Sequence, residues 1–495
     1  MKKLTSIALI ASVLAALASC GDAAQPAQDG TTAPDTAPVE TAPRFEADDL
    51  PADLDFGGKE LTWYVGDYAS AYWDDFYAEE ANGSRINDAV YNARRRVEER
   101  LNVKLNYIRK QVVWGTRTDI HKDITASVMA GDGAYDIYSG YDLVGMMLED
   151  KYFHDLNTSK YINLTKPWWN QSLLGMLPGN TVYTALGDGT LSLIKHTFCL
   201  FFNQDKLDAM GIKENMYDLV ESGKWTLDKL AELTANGYAD VNGNTEVDFG
   251  DEFGLTMGDA NKYIGWQFAL GGELVHLEKD GYKLVNGSEK MVDIFDRLYT
   301  FLRKNVNVNI PMNVNTDSPW GVDAGGGNLA DKTFMSGGAM FTASLVADAA
   351  TILADAKFDY GILPYPKADE AQENYVSAVQ RFASFSIPVY ADVDISGAVI
   401  EAWSSEAYRQ IQPEYFEVTL KARYSDDDQM AGIFDLLRET IRFDIGDFFC
   451  EILNEIASEF KGMMTKDAEG QWLSNYAEKE PAWNEALDAA WEALS

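Results

Sequence analysis

The sequence predicts an α/β fold, because strand-like and helix-like segments alternate along the first part of its body. A strand pattern at 61–65 is followed by a helical pattern at 82–101, a strand at 103–107, a second helix and a strand at 135–138. The order strand, helix, strand, helix, strand is typical of parallel βαβ units with helices on both faces of a sheet.

Each of these elements has its own pattern. The strand at 103–107 alternates Val, Leu and Tyr with polar residues, as a half-buried strand does. The first helix has Ser84 as its expected N-cap. Both helices carry apolar residues three and four positions apart: Ile86, Val90, Ala93, Val97 and Leu101 in the first, and Ile120, Ile124 and Val128 in the second.

The strand ends direct attention to a ligand site. In parallel sheets, ligands bind beyond the carboxyl ends of the strands. Asp67 and Tyr68 follow the first strand, and Tyr141 and Asp142 follow the third. We therefore expect these four residues to contact a ligand.

The rest of the body adds helices and a few strands. Thr226 is the expected N-cap of one helix, with Trp225 before it as a hydrophobic staple. Strand patterns at 360–363 and 385–387 end at prolines, and the C-terminal part reads as mostly helical.

The N-terminus has the pattern of a secretory signal, with Lys2, Lys3, an apolar run over 7–17 and small residues before Cys20. The segment Leu-Ala-Ser-Cys is similar to a bacterial lipobox, so we expect removal of 1–19 and lipidation of Cys20. The apolar run is shorter than the roughly 20 residues that span a bilayer. The alternative is an ordinary signal with an incidental cysteine.

The segment after the expected cleavage site is rich in Ala, Pro, Thr and Asp. Few of its residues could be buried to offset their ordering entropy. We expect 20–57 to be a lipidated, disordered tether. It would hold the body on the extracellular face of the cell membrane, or on the periplasmic side in a Gram-negative cell, by the lipid anchor alone.

The charge of the chain narrows the choice of partners. The formal net charge is −37 at pH 7, and such a surface repels phosphate backbones and anionic headgroups. No nucleic-acid partner is expected, and neutral or cationic ligands are favoured. A solvated acidic surface without any ligand role is the simpler alternative.

The cysteines and histidines give no metal motif. Cys199 and Cys450 both lie in apolar surroundings, so they could pair or remain two buried thiols. The four histidines have no zinc-ligand spacing, and the chain has no Walker loop, G-x-G-x-x-G or G-x-S-x-G motif.

One loop has the oxygen spacing of a calcium site. Oxygen donors recur along 240–251 as they do in an EF-hand loop. Thr245 replaces the glycine expected at the sixth position, and an Asp replaces Glu at the twelfth. No cofactor is required, the spacing could hold a structural calcium ion, and a plain Asn/Gly-rich turn is the alternative. The ligands would be Asp240, Asn242, Asn244, Glu246, Asp248 and Asp251.

The body, from about residue 58 to 460, resembles the extracellular solute-binding proteins (family 1) of ABC importers, chiefly the lipoprotein members of Gram-positive bacteria. The resemblance rests on the order and spacing of six segments: AGDGAYDI at 130–137, PWWN at 167–170, FFNQDKL at 201–207, YDLVESGKWT at 217–226, FMSGGAM at 334–340 and ILPYPK at 362–367.

This resemblance implies a two-lobe, periplasmic-binding-protein-like fold of type II. Lobe 1 would comprise 58–190 and 381–430, and lobe 2 would comprise 191–380 and 431–495. The ligand would be a small polar solute, with an oligosaccharide favoured, and the partners would be ABC permease subunits. We expect a monomer that binds without catalysis.

Further ligand residues follow from sugar chemistry and from the implied chain crossover. Neutral sugars stack on aromatic faces and accept hydrogen bonds from planar polar groups. Two adjacent indoles on a loop cannot both face one core, so we expect one of the pair at 168–169 to be exposed to a cleft or an interface. The added candidates are Trp168, Trp169, Trp266, Trp320, Ser344 and Arg381.

An enzyme remains the main alternative. A secreted glycoside hydrolase needs only two suitably placed carboxylates, and the chain has 78 Asp and Glu residues. A binder of peptides or other solutes on the same fold is also open.

Overall fold

The computed structural model describes residues 46–141, 144–248, 250–310, 328–421 and 428–495. The predicted signal and Cys20, and the ligand candidates Asp142 and Trp320, lie outside the described residues.

Eleven strands are described, in two sheets and one hairpin. Their bounds are β1 (Lys59–Tyr68), β2 (Val103–Val112), β3 (Ile137–Tyr141), β4 (Phe198–Asn203), β5 (Phe253–Met257), β6 (Val275–Glu278), β7 (Gly281–Leu284), β8 (Val308–Asn309), β9 (Ala339–Leu345), β10 (Tyr360–Leu363) and β11 (Ala383–Ser386).

Helices pack around both sheets, and π-helical turns over Tyr299–Arg303, Ala407–Ile411 and Glu417–Lys421 extend some of them. The α-helices are α1 (Trp73–Phe76), α2 (Arg85–Leu101), α3 (Thr118–Ala130), α4 (Val144–Leu148), α5 (Leu191–Lys195), α6 (Gln204–Ala209), α7 (Met216–Glu221), α8 (Leu227–Thr234), α9 (Lys262–Ala269), α10 (Glu289–Leu298), α11 (Leu329–Met335), α12 (Val393–Glu406), α13 (Gln412–Phe416), α14 (Asp428–Glu439), α15 (Ile445–Phe448), α16 (Ile456–Met464) and α17 (Trp472–Leu494).

The first sheet confirms the predicted βαβ units. Its strand order is β11-β3-β1-β2, with β1 parallel to both β2 and β3 and with β11 as an antiparallel edge. The carboxyl ends of β1 and β2 are level, because Tyr68 lies opposite Val112. Both strands are longer than the sequence patterns suggested.

The helices of this sheet form for the expected reasons, with one difference at a cap. Helix α2 buries four of its five predicted apolar residues and half-buries Ile86, and α3 ends at Gly131 in the left-handed conformation. Ser84 is at the N-cap of α2 but makes no capping bond. Asp88 in the first turn instead accepts from the backbone amides of Asn82 and Gly83, at 2.8 and 3.3 Å.

The second sheet is mixed, with strand order β10-β4-β9-β5-β8. Strands β5, β8 and β9 are parallel to one another, and β4 and β10 run antiparallel to their neighbours. Thr226 caps α8 as predicted, by accepting from the amide of Lys229 at 3.2 Å. Trp225 donates its indole N–H to Pro364 O at 2.9 Å and is fully buried.

The described structure includes the last residues of the segment 20–57, which is predicted to be a tether. Asp48 accepts two hydrogen bonds of 2.7 Å from Arg100, and Lys166 forms ion pairs with Glu46 and Asp49 at 2.5 and 2.7 Å. Leu50 is buried. The last residues of the predicted tether therefore belong to the body, held by paired charges rather than by a run of apolar residues.

The cysteines and the helices of the described residues give two further findings. Cys199 and Cys450 are both free, so no disulfide joins them. Over the described ranges, no helix has both the length and the apolar character needed to cross a bilayer.

Alanine substitutions at two glycines should change the stability of the protein in opposite directions. Gly187 pairs with Trp169 in an antiparallel bridge, and a Cβ at 187 would lie 1.9 Å from the carbonyl oxygen of Trp168. We expect Gly187→Ala to destabilise the protein by about 3 kcal/mol or more, since backbone cannot move aside cheaply. Gly462 in α16 has open space, so Gly462→Ala should stabilise by about 0.5–1 kcal/mol. Thermal unfolding of the two variants checks this, and equal melting temperatures would contradict it.

Candidate functional site

Two pairs of crossing segments join the two sheets. Thr197, just before β4, pairs with Val379, which lies between β10 and β11. Ser377 pairs with Ile441, and the Ser377 and Thr440 hydroxyls are 2.9 Å apart. These short pairings fix where the chain passes from one sheet to the other, and they place the hinge of the two-lobe fold.

On the side of the first sheet, the carboxyl strand ends carry three stacked tyrosines. The rings of Tyr68 and Tyr141 are 4.4 Å apart at an interplanar angle of 15°. Tyr72 extends the stack, with its ring 6.5 Å from that of Tyr141. All three are buried. The two predicted residues Tyr68 and Tyr141 are thus brought together, and Tyr72 is an addition from the following turn.

Asp67 positions this turn. Its carboxylate accepts from the amides of Tyr72 and Trp73 at 2.9 and 3.2 Å, and it pairs with the guanidinium of Arg109, whose Nε is 2.7 Å away. The side chain is fully buried. These bonds use both oxygens, so Asp67 shapes the site; a direct ligand contact by Asp67 stays a prediction.

Arg381 lies at the crossover, as predicted. Its guanidinium carbon is 5.7 Å from the centre of the Tyr68 ring. Its Nε is buried and has no hydrogen-bond partner among the described residues. The carbonyl oxygen of Arg381 is 3.1 Å from Nδ1 of His196, which therefore donates. Burial, and then Arg381 and Lys195, lower the pKa of His196 to about 3, so this ring is neutral.

The second lobe contributes a charged wall that sequence reasoning missed. Lys262, the first residue of α9, is buried and pairs with Asp259 at 3.0 Å. Burial raises the pKa of Asp259, but Lys262 and then Arg381 lower it, and the net shift is downwards. The pKa of Asp331 is raised to about 6, mainly by burial. The signal in the sequence was Gly-Asp directly after the apolar segment that forms β5.

Ser344 also lies in this region, at the end of β9. Its hydroxyl donates to Asp348, which also accepts from the amide of Leu345 at 3.0 Å. Ser344 therefore holds the turn after β9, the structural role that its position allows. A ligand contact by Ser344 stays a prediction.

Together these residues form the interlobe cluster, a set in which aromatic faces of lobe 1 meet charged groups of lobe 2 across Arg381. Asp259 and Lys262 form one ion pair, and the guanidinium of Arg381 lies over the ring of Tyr68. When the two lobes separate, the arrangement can present its aromatic faces to the apolar face of a sugar and can donate to hydroxyl or carbonyl oxygens. Its members are Tyr68, Tyr72, Tyr141, Asp259, Lys262 and Arg381.

Trp168 and Trp169 lie elsewhere, and the expectation that one of them is exposed is wrong. Their exposed fractions are 0% and 3%. The bridge to Gly187 keeps the backbone extended, so the two rings point to opposite sides, and both sides are covered. Trp169 donates to Glu401 at 3.0 Å, and Trp168 packs near Tyr408. Both rings line a cavity of about 450 Å³ behind the hinge segments.

Trp266 is a core residue of the second lobe. Its ring is fully buried, stacked on Tyr365 at 4.4 Å and edge-on to Phe301 at 6.2 Å. Because α9 turns this face toward the sheet, the ring is unavailable for sugar stacking in this conformation.

The loop at 240–251 folds around its own oxygens. Asp240 accepts from the amides of Gly243 and Thr245, and Thr245 has a positive φ of 64° where the EF-hand pattern has glycine. Among the described residues, no group of three acidic, His or Cys side chains converges as a metal centre. Asp251 is buried, however, and its Oδ1 has no hydrogen-bond partner among the described residues. A bound cation would be a partner for this oxygen. Calcium binding stays a prediction.

The comparisons with solved structures match the whole body. A cyclo/maltodextrin-binding protein complexed with maltotetraose shares 14% identity over 88% of this chain and 98% of its own, with a TM-score of 0.55. A cyclic α-maltosyl-1,6-maltose binding protein from Arthrobacter globiformis shares 13% over 88% and 99%, with a TM-score of 0.51.

A third similar structure is the ABC substrate-binding protein Lmo0181 from Listeria monocytogenes in complex with cycloalternan. It shares 12% identity over 88% of this chain and 99% of its own, with a TM-score of 0.50. These similar structures show that the chain has the two-lobe fold seen in sugar-binding proteins of ABC transporters. No protein-family model matches the sequence, and no curated protein matches it.

Glu401 offers a pH test of the packing around the tryptophan pair. Burial raises the pKa of Glu401 to about 8, despite the hydrogen bond from Trp169. An unfolded Glu titrates near about 4.3, so the folded protein binds more protons between these values and loses stability as pH rises through them. Glu401→Gln keeps the neutral state and its acceptor oxygen. We expect it to melt like the wild type near pH 5 and several degrees higher near pH 8.5; the same difference at both pH values would contradict this.

Proposed function

We propose that the protein is the substrate-binding lipoprotein of an ABC importer, which captures a small polar solute, most favourably an oligosaccharide, between its two lobes. The observation that carries this proposal is the interlobe cluster at the carboxyl strand ends. It brings together the stacked tyrosines, the Asp259–Lys262 pair and Arg381, whose Nε has no hydrogen-bond partner among the described residues. Similar solved structures of this fold bind maltotetraose and cycloalternan.

The chemistry of the cluster supports a neutral sugar. The hydroxyl groups of a sugar can accept hydrogen bonds from Arg381 and Lys262 and can donate to Asp259. Because these groups are buried, each of these hydrogen bonds is strengthened. The Asp259–Lys262 pair and Arg381 place both signs of charge at the site, which suits a neutral polar ligand. No bond of the solute is made or broken in this account.

Transport would follow from closure about the hinge. A ligand that contacts both walls favours the closed arrangement by its differential affinity, and permease subunits in the membrane would recognise that arrangement. The N-terminal lipobox-like segment supports lipid attachment at Cys20, on the extracellular or periplasmic side. We propose that the protein acts as a monomer.

A glycoside hydrolase is the second candidate, because two carboxyls in the cleft have pKa values shifted apart. The pKa of Asp259 is lowered, and that of the nearby Asp331 is raised to about 6. Such a divided pair is the pattern of a catalytic acid and base. Whether the sugar is recovered intact separates the two candidates.

The first test is a thermal-shift screen of the purified protein with mono- and oligosaccharides, peptides and polyamines. A ligand that binds only the folded state stabilises it by about 2.7 kcal/mol at a hundredfold excess over Kd. We expect a saturable rise with one class of oligosaccharide, recovered uncut. No shift with any sugar would contradict oligosaccharide capture, and cleaved sugar would favour the hydrolase.

Arg381 gives a test by substitution. Arg381→Met removes the donors and keeps the apolar stem, so we expect ten- to hundredfold weaker binding, the worth of a hydrogen bond to a charged group. The matched control is Arg96→Met, which removes a surface arginine that pairs with Glu406 at 2.5 Å in the same lobe. Isothermal titration with the oligosaccharide from the screen measures both. Equal losses in the two variants would contradict a role for Arg381.

Calcium binding by the loop at 240–251 is the remaining proposal. Calcium should raise the melting temperature, and a chelator should reverse the rise, because the cation binds only the folded loop. Asp251→Asn should lose the effect. Magnesium serves as the control, since its smaller octahedral shell does not suit such a loop. A melting temperature unmoved by calcium and chelator would contradict the proposal.

A further inference from the structure

Trp114 is a large exposed ring beside the proposed ligand site. Its exposed fraction is 54%. It follows β2 by two residues, and the end of β2 is level with Tyr68 of the interlobe cluster. Neighbouring strands lie about 5 Å apart, so Trp114 stands at the same edge of the sheet as the tyrosine stack and one strand further from the hinge.

The ring is held in place by Arg117. The guanidinium carbon lies 3.8 Å from the centre of the indole, and Nη1 donates to the carbonyl oxygen of Trp114 at 2.9 Å. This stacking covers one face of the ring. No other aromatic ring of the described residues is paired with Trp114, and the residue keeps 54% of its surface exposed.

Arg117 also reaches the second lobe. Its Nε donates to Glu451 at 3.1 Å. Glu451 lies between α15, which contacts β6, and α16, which contacts α9. The three residues Trp114, Arg117 and Glu451 therefore bridge the two lobes at the rim of the cleft.

A single exposed apolar residue is common on protein surfaces and needs no role. Trp114 differs because its indole is already stacked on Arg117, so stacking a sugar on its other face would cost little additional conformational entropy. Its electron-rich ring, partly covered by a cation, can pack against the apolar face of a sugar. Its place on the rim suits a unit of a chain that extends outward from the cluster.

We propose that Trp114 forms an outer sugar-stacking subsite, so that the protein prefers oligosaccharides long enough to reach from Arg381 to the rim. This inference rests on the proposed function. Short saccharides would contact the interlobe cluster alone, and longer ones would gain the stacking contact.

The test is isothermal titration with maltodextrins of two to seven units, and with xylo- and cello-oligosaccharides of the same lengths. The variants are Trp114→Ala, Trp114→Phe, which keeps an aromatic face, and Leu473→Ala. Leu473 is 53% exposed on α17 and serves as the control for removing an exposed apolar side chain. Melting temperatures should stay within about 2 °C of the wild type, because surface truncations change stability little.

We expect Trp114→Ala to weaken binding of the longer members of the bound series about tenfold, the equivalent of about 1.4 kcal/mol. The affinity of Trp114→Ala for members of two units should change less than about twofold. Trp114→Phe should restore most of the lost affinity, and Leu473→Ala should bind like the wild type. Wild-type affinity of Trp114→Ala at every length would overturn the subsite alone. If the wild type binds none of the three series, the proposed function fails for these sugars and the subsite fails with it.

Discussion

The short pairings of the crossing segments are the constraint on which the rest of the structure depends. Thr197 with Val379 and Ser377 with Ile441 fix the points at which the chain changes sheets. Because these points lie next to β4 and β11, the strand ends of lobe 1 face the start of α9 in lobe 2. The tyrosine stack and the charged wall lie where these two parts face each other, and ligand capture depends on this arrangement.

Most of the buried charged side chains near the site are paired, which distinguishes groups that hold the structure from groups that could bind a ligand. Asp67 is matched by Arg109 and by two amides, Lys262 by Asp259, and Asp75 by Lys195 at 2.8 Å. Such pairs cost desolvation that their geometry must offset. Arg381 differs, because its Nε is buried without a hydrogen-bond partner among the described residues. A buried donor of this kind is satisfied when a ligand oxygen arrives.

Local patterns predicted much of the fold, and tertiary packing decided the parts that they missed. The stripes of α2 and α3 and the alternation in β2 come from neighbours in sequence, so the βαβ units could be predicted. The burial of Trp169 and Trp266 depends on residues far away in the sequence, such as Glu401 for Trp169 and Tyr365 for Trp266. Asp259 and Lys262 were not predicted as site residues because the segment of β5 has no clear alternation. Trp114 was not predicted because the exposure of a ring cannot be read from the sequence.

The most direct measurement is hydrogen–deuterium exchange of the protein with and without the oligosaccharide that stabilises it. Capture between the lobes predicts protection of both walls together, in peptides covering 66–73 and 257–263, with the crossover at 380–382. Protection confined to the cavity around Trp168 and Trp169, or to one wall only, would contradict binding at the interlobe cluster.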